Sequence, residues 1–345
     1  MSKKMFDFCL GNSPYQVESK GDNDTLAMPV YHYFMDASSK IADTTVLIHP
    51  ARFLFGIGRT PKKFTEEKLN DDHFKVLYYE PDASKVFPNT DIKGGIVITT
   101  ENRNVVYKKI KVFIPYKSME TVFSKVWEEN VESFQKLISH RLIFHYSNAF
   151  FDDFPTIDKT KGPLHSVQSD AFDKNDFVFL KAKNENEAFY EFLGKTKKES
   201  GRVWRYIKKE YIQNNIYLNN WKILISRSVG SGKFGETLSN PIVAKPGTGG
   251  TDTFICIGPF NCKDEAESAL KYISTKFARA MLGILRRTQG NTYPVWKYVP
   301  LQDFTDHSDI DWSKSIPEID QQLYRKYGLS DEEIDFIETH VKEMK

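Results

Sequence analysis

The sequence predicts a protein of the α/β class, and three observations support that prediction. Short apolar segments with strand character alternate with segments of helical spacing in the first 100 residues. Glycine or proline ends the first two of these strands, at Gly11 and Pro50. The chain has 345 residues, of which 40% are apolar, so it can bury a core without support from disulfides or metals.

The N-terminal elements predict a parallel sheet with crossover helices. Phe6–Leu10 is a short strand, and apolar residues recur with helical spacing between Pro29 and Ala42. Three further strands are predicted at 45–48, 74–79 and 94–99. Strands that alternate with helices in this way are typical of a parallel sheet.

The rest of the chain predicts three more parts. Residues 118–200 are acidic and predict a mostly helical segment, and strands separated by glycine-rich turns follow from Trp221. One amphipathic helix is predicted from Asn261 to Ile284, and two short helices close the chain, the second with a capping box at Ser330. The predicted division is a sheet domain at 1–117, a helical connection at 118–200, an α+β domain at 201–305 and a helical tail at 306–345.

Composition excludes several classes of protein. With 27% charged and 14% aromatic residues, the chain is neither disordered nor collagen-like. It has no run of eighteen apolar residues, and its N-terminal strand is too short for a signal-peptide core. Three cysteines without a Cys-x-x-Cys pair fit a reducing compartment and no metal site. We therefore expect a cytoplasmic protein that does not contact a membrane.

A basic block in the middle of the chain predicts nucleic-acid binding. Ten Lys or Arg stand against two Glu between residues 195 and 233, with Trp and Tyr among them. Basic charge interleaved with aromatic rings is typical of a nucleic-acid surface, although such a run is also found on ordinary solvated helix faces. The residues expected to contact DNA are Arg202, Arg205, Lys208, Lys209, Arg227, Lys233 and Lys245.

The most informative segment follows the first strand, where Asn12-Ser13-Pro14-Tyr15 comes directly after Gly11. Ligands of parallel sheets bind at the carboxyl ends of strands. The Asn12 side-chain oxygen and the Ser13 carbonyl can both accept from an exocyclic amine, Pro14 fixes the loop, and Tyr15 can stack on an extruded base. The alternative is a proline turn after a buried strand, and these residues alone leave both interpretations open.

Segment 6–16 resembles the catalytic motif of bacterial restriction–modification adenine-N6 DNA methyltransferases, most closely the type IIG-like branch that joins methylase and target-recognition regions in one chain. The resemblance extends over nearly the whole chain in order and spacing. Its further segments are 29–35, 47–54, a Gly-Gly motif at 87–96, and the late segments 296–300 and 309–312.

The resemblance implies both the fold and the function. Residues 1–117 would be the catalytic half of a Rossmann-like methyltransferase sheet, with a late antiparallel hairpin, and residues 201–305 the target-recognition domain. Asn12, Ser13, Pro14 and Tyr15 would hold the target adenine of double-stranded DNA. S-adenosyl-L-methionine would supply the methyl group, so the implied activity is site-specific adenine-N6 methylation.

Two departures from the family pattern bear on that activity. The family usually has proline where this chain has Ser13. The cofactor-binding half, which precedes the catalytic motif in this branch, is expected to be missing. The Phe6–Leu10 strand would then be a bare apolar edge, which proteins normally cover. We therefore expect a partner polypeptide, or a second copy of the chain, to cover it and to complete the cofactor site.

Three alternatives stay open at this point. The chain could instead be a catalytically inactive DNA-recognition subunit of a restriction–modification complex. Two glycine-rich loops, at 228–233 and 245–250, are interpreted as turns that could touch DNA phosphates and not as cofactor loops. Asp82 with Asp91 and Lys93 fits the loose pattern of a metal-dependent nuclease, but it overlaps the Gly-Gly motif.

Overall fold

A computed structural model of the chain describes residues 4–17, 28–90, 92–128, 130–157, 165–184 and 186–344. The chain divides into two compact units, Met1–Glu120 and Thr121–Lys345. The prediction of a mixed α/β protein is confirmed. The finer division at residues 200 and 305 stays a prediction.

The first unit is built on a four-stranded sheet. Its strands are β1 (Phe6–Asn12), β2 (Ala42–Pro50), β3 (Phe74–Glu80) and β4 (Ile96–Asn102), in the order β1-β2-β4-β3. Strands β1 and β2 are parallel, whereas β4 runs antiparallel to both β2 and β3. The sheet is therefore mixed, and the purely parallel sheet predicted from the alternation of elements is wrong at β4. The antiparallel hairpin implied by the resemblance is present.

Two helices make the connections in this sheet. Helix α1 (Tyr31–Ile41) joins β1 to β2 and buries Tyr31 and Met35, which lie one turn apart on the same face. Helix α2 (Lys62–Asn70) begins after Pro61 and precedes β3. These helices and the short 3₁₀ turn after β2 enclose an aromatic core on one face of the sheet. Its buried members are Tyr31, Met35, Leu47, Ala51, Phe53, Leu54, Phe55, Phe64, Phe74 and Val97.

Strand β1 is an edge strand in this sheet, and its apolar side chains are exposed. Phe8 is 69% exposed and Leu10 is 72% exposed, and Phe6 on the same face is half exposed. Residues of β2 that pair with this face, Thr44 and Val46, are half-buried. The described residues of the unit therefore leave both the open edge and one apolar face of β1 in contact with solvent.

The second unit contains two three-stranded sheets. One has the order β6-β5-β9, formed by β5 (Phe189–Gly194), β6 (Val203–Lys208) and β9 (Thr248–Gly250); the other has the order β10-β7-β8, formed by β7 (Trp221–Ser226), β8 (Ile242–Ala244) and β10 (Phe254–Phe260). The strands predicted after Trp221 are confirmed. A core of aromatic and aliphatic side chains lies around both sheets.

The expectation that residues 118–200 are mostly helical is wrong. The helices described there are α3 (Lys117–Val126), α4 (Asn148–Asp153) and α5 (Ala171–Lys174), followed by strand β5. The segment is rich in Phe and Tyr, and these side chains enter the same core as β5, β7 and β10. Tertiary packing of aromatic residues, which are modest helix formers, thus decides the local structure.

The C-terminal helices follow the prediction except at one point. After the single turn α6 (Ile216–Asn219), helices α7 (Lys263–Ser274) and α8 (Lys276–Leu282) replace the single helix expected from Asn261 to Ile284. The break occurs at Thr275, whose hydroxyl accepts from Ala278 N, while the Asp320 carboxylate accepts from the amides of residues 276 and 277. Helices α9 (Ile316–Lys326) and α10 (Asp331–His340) both begin with capping boxes.

None of the helices in the described part of the chain has the length and apolar character that crossing a bilayer requires.

Candidate active site

The candidate site lies at the carboxyl ends of β1 and β2. Asn12 is the last residue of β1 and pairs in register with Ile48, just before Pro50 ends the neighbouring parallel strand. An open pocket of about 640 Å³ lies there, within the ~300–1,000 Å³ typical of small-molecule sites. Its described lining residues are Asn12, Ser13, Pro14, Tyr15, Gln16, Pro29, Tyr31, Pro50, Arg52, Gly58 and Ile92.

The four predicted motif residues are brought together in this pocket. Asn12 and Pro14 are exposed, Ser13 is buried and Tyr15 is half-buried. The loop is fixed behind them because Tyr15 O accepts from Val30 N at 3.2 Å and residue 16 bridges to residue 29. The amide of Asn12 is therefore presented to solvent by a loop that is attached to the sheet on one side and to the start of α1 on the other.

Two hydroxyl groups of the motif are buried without a hydrogen-bond partner among the described residues. They are Ser13 Oγ and the Tyr15 hydroxyl. Burial raises the pKa of Tyr15 above its usual value, so the phenol is neutral at physiological pH. The Tyr15 ring packs edge-on to Phe87, with the centroids 6.4 Å apart. The ring thus packs against Phe87 and still lines the open pocket.

Behind the motif lies a hydrogen-bonded aromatic layer. Tyr31 lines the pocket and stacks on the His49 ring, with centroids 5.6 Å apart. His49 is fully buried, and its Nε2 lies 2.8 Å from Thr99 Oγ1. Burial lowers the pKa of His49 to about 4, so the ring is neutral and stays enclosed. The buried ring packs against Tyr31 at the back of the pocket.

Arg52 is a pocket residue that the sequence reasoning did not select. It lies two residues after Pro50 and is the one charged side chain among the described lining residues. Its Nε donates to Lys93 O at 2.8 Å. The positive charge of Arg52 acts to lower the pKa of Tyr31, against the larger effect of burial. In the sequence, Arg52 could have been identified as a cation that stands two residues after the proline that ends the second strand.

The structure places four of the seven predicted DNA contacts in ion pairs with carboxylates. A cation that is already paired with a carboxylate attracts a phosphate less strongly. The ion pairs therefore do not support the assignment of these four residues as DNA contacts, which stays a prediction. The pairs are Arg205–Glu199, Lys208–Glu187, Arg227–Asp252 and Lys245–Glu191.

The other three predicted contacts differ in their surroundings. Arg202 donates from Nη2 to the hydroxyls of Ser226 and Ser239, both at 3.0 Å, and burial lowers its pKa. Its guanidinium, just before β6, is therefore bound to the end of β7 and to the loop before β8. Lys209 and Lys233 are exposed, and no carboxylate partner is found for either within the described ranges. These two combine an exposed position with the absence of a described ion pair.

Neither glycine-rich loop has the geometry of a cofactor loop. In the loop at 245–250, residues 245–247 connect β8 to β9 and residues 248–250 form β9 itself; β10 follows, so no helix N-terminus is available to an anionic group. In the loop at 228–233, the amides of Ser231 and Gly232 both donate to the Glu236 carboxylate. The described residues around these loops therefore do not fit S-adenosyl-L-methionine.

The nuclease alternative has little support in the described residues. Asp82 accepts from the amide and the hydroxyl of Ser84 at 3.1 and 2.6 Å, which caps a 3₁₀ turn. Asp91 lies outside the described residues. No group of three or more His, Cys, Asp or Glu suited to a metal ion occurs in the part of the chain that the structure describes.

Comparison with known proteins agrees with the resemblance over residues 1–87. Residues 1–87 match the family described as Eco57I restriction-modification methylase, so this part of the chain is related to the methylases of restriction–modification systems. No curated protein matches the chain significantly. Among solved structures, the type IIG restriction endonuclease BpuSI is similar, with 10% sequence identity, a TM-score of 0.31, and 91% of this chain covered. The chain spans about half, 49%, of that enzyme.

Proposed function

We propose that this chain carries the adenine-holding loop and the target-recognition region of a site-specific DNA adenine-N6 methyltransferase of a restriction–modification system. One observation carries the proposal. Asn12, Ser13, Pro14 and Tyr15 line a single pocket at the carboxyl ends of two parallel strands, within the segment that is related to restriction–modification methylases.

Each motif residue has a distinct part in holding an extruded adenine. The Asn12 side-chain oxygen and the Ser13 carbonyl accept the two hydrogens of the exocyclic N6 amine. With both hydrogens held, the nitrogen lone pair is directed out of the ring plane. Tyr15 stacks on the base, and as a neutral phenol it adds no charge to the stacked pair. The Ser13 hydroxyl has no part in this arrangement.

The methyl donor in this proposal is S-adenosyl-L-methionine, bound by residues of a partner polypeptide. When bound, it supplies an electrophilic methyl group. The exposed apolar edge of β1 is the surface on which we propose that the partner, or a second copy of the chain, adds a strand. Asn12 ends this strand, so strand addition would bring the partner next to the adenine-holding loop.

The test is transfer of labelled methyl from S-adenosyl-L-methionine to adenine in mixed-sequence duplex DNA. The chain is assayed alone and with the product of the neighbouring gene. We expect methylated adenine in the complemented reaction, and its loss in Asn12→Ala and Tyr15→Ala with DNA affinity nearly unchanged. Asn104→Ala, an exposed residue of the turn after β4 that does not line the pocket, is the matched control.

A second candidate function is a recognition subunit that binds DNA and transfers nothing. The observation that favours it is the poor fit of both glycine-rich loops to the cofactor. Two results together would favour this alternative. Asn12→Ala would leave DNA binding unchanged, and no methylation would be detected with or without the product of the neighbouring gene.

A further inference from the structure

We propose that Arg52 forms an anion subsite of the pocket and binds a phosphate group of the nucleotide whose base is held by the Asn12 loop. The inference rests on the proposed function for the identity of the base. The anion site itself is argued from the way the Arg52 side chain is built into the first unit.

The aliphatic stem of Arg52 is held between two glycines in the left-handed region. Gly58 has φ +80° and Gly94 has φ +89°. A Cβ atom at Gly58 would lie 2.5 Å from Arg52 Cδ, and one at Gly94 would lie 3.2 Å from Arg52 Cγ. A side chain at Gly58 would therefore displace the arginine. The stem fills a slot that only glycine leaves open.

The guanidinium is oriented as well as placed. Its Nε donates to Lys93 O at 2.8 Å, which fixes the plane of the group. Within the described ranges its Nη1 and Nη2 atoms have no hydrogen-bond partner. An arginine anchored through Nε presents its two terminal nitrogens as a fork, the arrangement that binds phosphate through two parallel hydrogen bonds.

The position of Arg52 suits a nucleotide phosphate. Asn12 pairs with Ile48 near the end of β2, and Arg52 lies in the 3₁₀ turn that directly follows β2, so both side chains line one pocket. Asn12 has the acceptor for an amine and Arg52 has the donors for an anion. A pocket of about 640 Å³ is large enough for both the base and the phosphate of one nucleotide.

The experiment compares the binding of adenosine, adenosine 5′-monophosphate and adenosine 3′-monophosphate to the full chain by ligand-observed NMR or equilibrium dialysis. In the wild type we expect one monophosphate to bind ~10-fold or more tightly than adenosine, since hydrogen bonds to charged groups are strong. Arg52→Gln should abolish this preference and leave adenosine binding unchanged. Arg52→Lys, which keeps the charge without the fork, should retain part of it.

Arg103→Gln is the matched control, because Arg103 is exposed in the turn after β4 and does not line the pocket. Thermal unfolding of each variant separates a lost subsite from a lost fold. If Arg52→Gln does not fold, the preference of the wild type for a monophosphate over adenosine, and the reduction of that preference in Arg52→Lys, still test the anion subsite.

Three outcomes separate this inference from the proposed function. Equal binding of adenosine and both monophosphates by the wild type overturns the anion subsite and leaves adenine recognition standing. Binding of inorganic phosphate that depends on Arg52, without any binding of adenosine, supports the subsite and contradicts the proposed function. Loss of S-adenosylhomocysteine affinity in Arg52→Gln, with monophosphate binding unchanged, would assign Arg52 to the cofactor carboxylate and overturn the proposal.

Discussion

Lys222 provides a prediction whose magnitude can be worked out from its surroundings. It lies on β7, is fully buried, and among the described residues donates only to two backbone carbonyls, those of Asn220 at 3.1 Å and Lys245 at 2.8 Å. Burial lowers its pKa from 10.5 to about 8. The thiol of Cys256, whose charge would stabilise the ammonium, has its own pKa raised by burial to about 12 and therefore stays neutral across this range.

The sign of the pH dependence follows from proton binding. Between pH 8 and 10.5 the unfolded chain holds a proton on Lys222 that the folded chain has released, so the free energy of unfolding rises with pH. A pKa difference of about 2.5 units corresponds to about 3 to 4 kcal/mol at ~1.4 kcal/mol per unit. This stabilisation is absent at pH 7, where Lys222 is charged in both states.

The perturbation is Lys222→Met, and the assay is urea unfolding of both proteins at pH 7.5, 8.5, 9.5 and 10.5. Other ionisations are common to the two proteins and cancel in the difference. The wild type should gain about 3 kcal/mol relative to Lys222→Met across the series. A difference that does not change with pH would show that the two carbonyls compensate the ammonium fully, and would refute the reasoning from burial.

Further predictions concern the pocket and the edge strand. Tyr15→Phe removes a buried hydroxyl without a described partner, so it should retain methylation and raise the unfolding free energy by up to about 1 kcal/mol. Tyr15→Ala removes the stacking of the extruded base, worth ~1–3 kcal/mol, so it should lose methylation while the affinity for duplex DNA stays nearly unchanged. Methylation assays and urea titrations check both. Ser13→Ala should likewise keep activity, because only the Ser13 carbonyl is used, and a tenfold loss of methylation would contradict that assignment. Phe8→Lys should prevent association across the β1 edge with almost no change in thermal unfolding, since Phe8 is 69% exposed; sedimentation with and without the partner decides. Lys233→Gln should reduce the slope of log affinity against log salt for DNA by about 1, and an unchanged slope would exclude a phosphate contact there.

Local sequence signals placed the elements of the first unit but not all of their details. Strand β1 continues through Gly11 to Asn12, and α1 buries Tyr31 and Met35, whereas Phe34 and Ile41 of its apolar residues are exposed. The helix between Pro29 and Ala42 and the end of β2 at Pro50 were predicted correctly. These features depend on neighbours in the chain. The position of β4 between β2 and β3 could not be deduced in this way. It depends on the pairing of β4 with β2, which lies roughly 50 residues earlier in the chain.

The failures of prediction have physical causes that are visible in particular residues. The helix expected through Thr275 is broken because Asp320, from a different helix, accepts from the amides that follow it. Arg52 was missed because its placement depends on Gly58 and Gly94, and only the fold brings Gly94 against its stem. Basic residues chosen for charge alone turned out to be partnered, as Arg227 is by Asp252.

The order of the strands also sets a gradient of local stability across the first sheet. Strand β2 has hydrogen-bonded ladders on both sides, with β1 and with β4, whereas β1 is bonded on one side only. Opening β1 breaks one ladder, so its amides should exchange with solvent faster than those of β2. The loop that follows Asn12 thus begins at an edge strand; the other edge strand of this sheet, β3, is likewise bonded on one side only. A strand that adds to β1 would slow the amide exchange of β1 and would also fix the loop after Asn12. Amide exchange of β1 therefore reports on whether the site is assembled.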